Sequence, residues 1–141
     1  MQFSIAAIVP FLAGANAIIS GIAVPETIQP GSAFELTIET QNYIQAVSDV
    51  AIAVGYAAGD GFPQSLGEVL GSFYLGPQDS NVLHNITETL VLPAGTQQGD
   101  GIITAAIFSL WGAAAGPAVN TFNVTISVGS ETSKTLKSSS A

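Results

Sequence analysis

The run Phe34-Glu35-Leu36-Thr37-Ile38-Glu39 places an apolar side chain at every second position and a polar one between. A repeat of two is the period of an extended strand, so Phe34, Leu36 and Ile38 face a core while Glu35, Thr37 and Glu39 face water. The same pattern extends outward in both directions. Upstream, Ile19 to Val24 stops at Pro25 and is followed by the turn Gln29-Pro30-Gly31-Ser32. Downstream, Val50, Ile52, Val54 and Tyr56 are separated by Ala51, Ala53 and Gly55, small residues that leave room for a close neighbour and suggest a central strand. A loop through Gly59-Asp60-Gly61-Phe62-Pro63 leads to a fourth run, Leu66 to Leu75, closed by Gly76-Pro77-Gln78-Asp79-Ser80-Asn81.

The fifth run, Val82 to Leu92, alternates Ile86, Leu90 and Leu92 against Asn85, Thr87 and Thr89, but Glu88 has the wrong parity for a buried face. That predicts an edge strand or a bulge. Ile102 to Trp111 is apolar on both sides, and its Ile and Phe content and length favour a strand over a short helix. Phe122, Val124, Ile126 and Val128 alternate with Asn123, Thr125 and Ser127 in the last. Seven strands with regular turn signals and no convincing amphipathic helix predict an all-β fold: a seven-stranded antiparallel β-sandwich of immunoglobulin or fibronectin type.

The ends of the chain read differently. Met1 to Ala17, MQFSIAAIVPFLAGANA, is an apolar segment closing on Ala15-Asn16-Ala17, the small-residue pattern of a secretory leader cleaved after Ala17. Its apolar stretch is interrupted by Pro10 and falls short of the ~20 residues needed to span a bilayer, so no membrane insertion is expected. The expected domain organisation is a leader over 1–17, a β-sandwich over 18–130 and a disordered Ser/Thr-rich tail over 131–141. Secretion agrees with two sequons, Asn85-Ile86-Thr87 and Asn123-Val124-Thr125, whose asparagines fall where a strand points outward, making Asn85 and Asn123 the expected glycosylation sites.

Composition then narrows the chemistry. The chain has no cysteine, so disulfides, thiolate metal sites and thiol nucleophiles are excluded. Ten carboxylates lie between Glu26 and Glu131, whereas the two cations, Lys134 and Lys137, are in the tail, and the net charge is -8. A purely anionic body is a poor match for nucleic acid or an anionic membrane. His84 is the single histidine and has no motif placing a nucleophile or an acid beside it, so no catalytic residue is assigned. A copper oxygenase of the secreted fungal kind would begin its mature chain with His, and here that residue is Ile18. Glu35 and Glu39 share the wet face of one strand and do not form a glycosidase pair. Gly59-Asp60-Gly61 and Gly99-Asp100-Gly101 read as turns, because neither loop has the dense oxygen spacing of a dedicated calcium site. No metal or other cofactor is expected. Trp111 is read as a core residue before an anchor for a partner.

Beyond these readings, several blocks carry a resemblance. Asn42-Tyr43-Ile44-Gln45-Ala46-Val47-Ser48-Asp49-Val50-Ala51-Ile52-Ala53-Val54-Gly55-Tyr56, Ser65-Leu66-Gly67, Ser72-Phe73-Tyr74-Leu75-Gly76-Pro77, Asn85-Ile86-Thr87-Glu88-Thr89 and Ala105-Ala106-Ile107-Phe108-Ser109-Leu110-Trp111-Gly112-Ala113 resemble the Nis family of necrosis-inducing secreted proteins of plant-associated fungi. The resemblance implies a secreted effector, acting in the host apoplast or host cell, that suppresses pattern-triggered immunity by binding host plant receptor-associated kinases and provokes cell death when abundant. It supplies no catalytic or binding residue to carry over. The competing expectation from fold alone is a cell-wall or carbohydrate-binding sandwich module. Tyr43, Tyr56, Tyr74 and Trp111 fall at unrelated strand phases, which favours a protein partner over a glycan platform.

Overall fold

A computed structural model describes residues 16–139. The expected leader lies outside these residues apart from its last two, Asn16 and Ala17, and Ala17 already opens the first strand. The strands are β1 (Ala17–Pro25), β2 (Thr27–Ile28), β3 (Ala33–Asn42), β4 (Val47–Ala58), β5 (Glu68–Tyr74), β6 (Ile86–Val91), β7 (Gly99–Trp111), β8 (Gly116–Val128) and β9 (Leu136–Ser138). A single helical turn, α1 (Gly76–Asp79), follows β5. Two sheets result, a four-stranded one in the order β6-β3-β1-β9 and a five-stranded one in the order β2-β8-β7-β4-β5. The all-β sandwich is therefore as the alternation predicts, with all pairs antiparallel except the short parallel pairing of β2 with β8.

The core is the sum of the inward phases. Phe34, Leu36 and Ile38 from β3 meet Ile52 and Val54 from β4 and Ile103, Ala105 and Ile107 from β7, all buried. Tyr56 joins them, its ring lying where any side chain at Gly101 would have to stand. The anomalous Glu88 is explained by position. It pairs with inward-facing Leu36 on β6, the outermost strand of its sheet, in a regular register without a bulge, and is half-buried between Ile86 and Leu90. An edge strand lets a carboxylate of that phase reach water.

Two short strands were invisible to periodicity. At Glu26 the chain changes sheets, its N–H donating to the Thr135 carbonyl (3.0 Å) while its own carbonyl accepts from Ser127 N–H (2.9 Å). The second, β9, corrects the expectation of a disordered tail over 131–141. Through residue 139 that segment is laid along the open edge of β1, with Ala23, Val24 and Pro25 paired to Ser138, Lys137 and Leu136. Ser139 donates its N–H to the Ile22 carbonyl (2.7 Å) and accepts from Ile22 N–H on Oγ (3.1 Å); Ser133 Oγ accepts from Thr27 N–H (3.1 Å). A polar composition predicts disorder because it offers little to bury, but an unpaired strand edge recruits backbone groups and hydroxyls, which this tail supplies.

Candidate functional site

The two outer faces of the sandwich differ in chemistry. On the four-stranded sheet, Glu35 pairs with Thr89 and Thr37 with Thr87, a polar, wetted surface. On the five-stranded sheet the outward phase carries one apolar row beside rows that mix small residues with Thr and Asn. Val119, Phe108, Ala51 and Tyr74 are successive cross-strand partners through β8, β7, β4 and β5, forming one row across four strands. Below it runs the row Thr121, Ala106, Ala53 and Ser72, and below that Asn123, Thr104 and Gly55. Val119 is 64% exposed and Tyr74 75%, so the row is uncovered. Antiparallel sheets with one solvated face ordinarily alternate to polar residues there, and this row departs from that rule.

The far end of the face is closed by the β4–β5 loop. Gly59 N–H donates to the Asp100 carbonyl (2.8 Å), bending the chain back over the sheet. Leu66 then lies flat against Gly55, where any Cβ would strike the Leu66 carbonyl, and Gly67, at φ +73°, passes equally close to the Tyr56 carbonyl. These are the close neighbours for which the small residues of β4 leave room. Phe62, in the same loop, is 77% exposed. Between the loop and Val119 runs a groove of about 500 Å³, with Ile102, Thr104 and Ala106 in its floor and Asn123 on the β8 side.

Asp60 lines the loop end of the groove. A cation is also near: Lys137 Nζ donates to Thr125 Oγ1 on β8, the strand that carries Asn123, and borders a recess with Thr121 and Asn123. The groove thus joins exposed apolar groups to a polar rim that carries one carboxylate, Asp60, with Lys137 beside it, a surface complementary to an apolar projection with a polar surround.

The residues singled out from sequence fall as follows. Asn85 and Asn123 are both exposed, Asn123 on the groove and Asn85 at the start of β6. His84 is exposed, and its backbone carbonyl accepts from Thr40 Oγ1 (3.2 Å). The two Gly-Asp-Gly segments come together, Asp60 and Asp100 lining one recess with Glu26 and Lys137, but among the described residues no three His, Asp or Glu side chains converge to hold a metal ion. Gly99-Asp100-Gly101 opens β7 instead of forming a separate turn. Trp111 is half-buried, edge-on to Tyr43 at 5.5 Å and 88°. The four aromatics do not share a platform, since Tyr56 is in the core and Tyr74 is on the outer face.

Sequence reasoning missed Phe62, Phe108 and Val119 as a joint surface. The signal was present in Ile102 to Trp111, apolar on both sides, for which a second covering layer is the ordinary explanation. No described element covers it; only the loop carrying Phe62 folds over one end.

Three comparisons bear on this geometry. A family model described as the Nis1 family matches residues 15–127. Necrosis-inducing secreted protein 1 of Colletotrichum higginsianum is 51% identical over 138 residues, 96% of this chain and 96% of that protein. Necrosis-inducing secreted protein 1 of Colletotrichum orbiculare is 47% identical over 138 residues, 96% of this chain and 85% of that protein. Among solved structures, the E23A form of a superoxide reductase (neelaredoxin) from Ignicoccus hospitalis superposes with a TM-score of 0.50 at 18% identity, over 83% of this chain and 82% of that one, a likeness of fold alone.

Proposed function

Since the chain belongs to the Nis1 family, we propose that it is a secreted necrosis-inducing effector that acts by protein contact, without catalysing a reaction, and that the outer face of the five-stranded sheet is its docking surface. The host partners are receptor-associated kinases of the plant immune system, and their engagement suppresses pattern-triggered immunity, with cell death at high effector levels. The observation that carries the docking assignment is the uncovered row Val119, Phe108, Ala51 and Tyr74, continued to Phe62 by the groove. Apolar area of this kind, when not buried within a domain, is spent on a partner.

The test is capture of host protein by the secreted, folded domain from leaf extract, run beside binding to chitin and β-glucan. Enrichment of receptor-associated kinases supports the proposal. Retention on glucan with no host protein captured replaces it with a carbohydrate-binding module.

A further inference from the structure

Asp49 is 2% exposed, and its carboxylate is held between the two sheets: Ser109 Oγ donates to Oδ1 (2.6 Å) and Ile19 N–H donates to Oδ2 (3.3 Å). Its own N–H donates to Ser80 Oγ (2.9 Å), and Ser80 is itself nearly buried. Both donors to the carboxylate are neutral. A buried carboxylate is ordinarily matched by a cation, and the sequence provides no Lys or Arg before Lys134. Lys137, the nearer lysine to the body, is engaged with Thr125.

One further cation is available to the processed chain. Cleavage after Ala17, at the Ala15-Asn16-Ala17 pattern, makes Ile18 the first residue and turns its amide nitrogen into an α-ammonium group. That nitrogen is a single residue, ~3.5 Å of extended chain, from the Ile19 nitrogen already bonded to Asp49. We infer that buried Asp49 is the receptor for the α-ammonium of Ile18, so that leader removal creates the ion pair that fastens β1 to β4. The inference rests on the secretion reading only in that the free amine requires the cleavage.

The surroundings fit an ammonium. Before cleavage the Ala17 N–H approaches Asn81 Oδ1 (3.5 Å), and removal of Ala17 leaves that oxygen as a second acceptor. Ala17 is 1% exposed, so its departure also vacates enclosed space beside the new terminus. Freed from residue 17, the ammonium can turn about the Ile18 backbone towards Oδ2, while the Ile19 N–H keeps its bond. Unlike an exposed pair, one enclosed between sheets is weakly screened and depends on both members being present.

The experiment uses a fusion cut to leave a chosen first residue, giving one chain that begins at Ile18 and one that begins at Ala15. The Ile18 chain is expected to melt at least ~5 °C higher, and the difference to vanish when both carry Asp49→Asn. Equal melting, or a difference that survives Asp49→Asn, overturns the inference. Should the Asp49→Asn chains fail to fold, a crystal structure of the Ile18 chain decides: an ammonium within ~4 Å of the Asp49 carboxylate supports the pair, and one pointing into solvent overturns it. N-terminal sequencing of the naturally secreted protein separates the two readings, because a first residue other than Ile18 overturns the latch while leaving secretion intact.

Discussion

Tyr56 shows how one side chain couples core and face. Its ring fills the space above Gly101 in the interior, and its carbonyl sits beneath Gly67, where the β4–β5 loop crosses the sheet. Burial pushes its phenol above the ordinary value of 10.0, since the phenolate loses hydration there. A raised folded-state pKa means that the stabilisation from the neutral phenol is complete below about 10 and is lost as pH rises through the raised value. Thermal melts from pH ~9 to ~11.5 should therefore fall less steeply for Tyr56→Phe than for the parent; identical slopes would show that Tyr56 ionisation does not govern alkaline unfolding. Much at this scale was legible in the sequence. The parity of Phe34, Leu36 and Ile38 predicted their burial. Phe62 was not legible, because a loop aromatic acquires meaning only from what holds the loop, here Leu66 against Gly55.

Strands and tail obey different rules. The seven long runs are each marked by their own sequence, by alternation in β3, β4, β6 and β8 and by apolar content between turn signals in β1, β5 and β7, so they could be read locally. By contrast β9 has no pattern of its own and exists because β1 offers an unpaired edge beside it. Truncation after Ser130 should accordingly lower the melting temperature and expose β1 to intermolecular pairing, seen as concentration-dependent association in sedimentation; an unchanged melt and a monodisperse species would mean that the tail is an ornament. The sequons allow a second comparison between elements. Asn123 lies on the groove, whereas Asn85 immediately precedes the other sheet's edge strand. Secreted protein from a eukaryotic host should lose mass with endoglycosidase, one step being removed by Asn85→Gln and another by Asn123→Gln. Only Asn123→Gln should alter capture of the partner, because only that glycan borders the docking face. Equal effects on capture would place the contact elsewhere.

The whole molecule is a sandwich with unequal outer faces, and that asymmetry is its most consequential property. One sheet presents Glu35, Thr37, Thr87 and Thr89; the other presents Val119, Phe108, Ala51 and Tyr74. Fold class came from strand period alone, yet which face is free depends on the order of strands in each sheet and on where the loop folds, both non-local. The family places the molecule among necrosis-inducing secreted proteins, and the proposed docking surface rests on the asymmetry. Burying a side chain as exposed as Phe62 against a partner contributes about 1.5–3 kcal/mol, or roughly 10- to 150-fold in affinity. The decisive measurement is capture of the host kinase and leaf necrosis for Phe62→Ser/Phe108→Ser, against a control altered on the opposite face, Glu35→Gln/Thr87→Ser, with all proteins matched for secretion and melting temperature. Loss of capture by at least ~10-fold together with necrosis in the first variant, and retention of both in the control, is the predicted result; full activity in Phe62→Ser/Phe108→Ser, or loss confined to the control, would contradict the assignment of the five-stranded sheet's outer face as the effector surface.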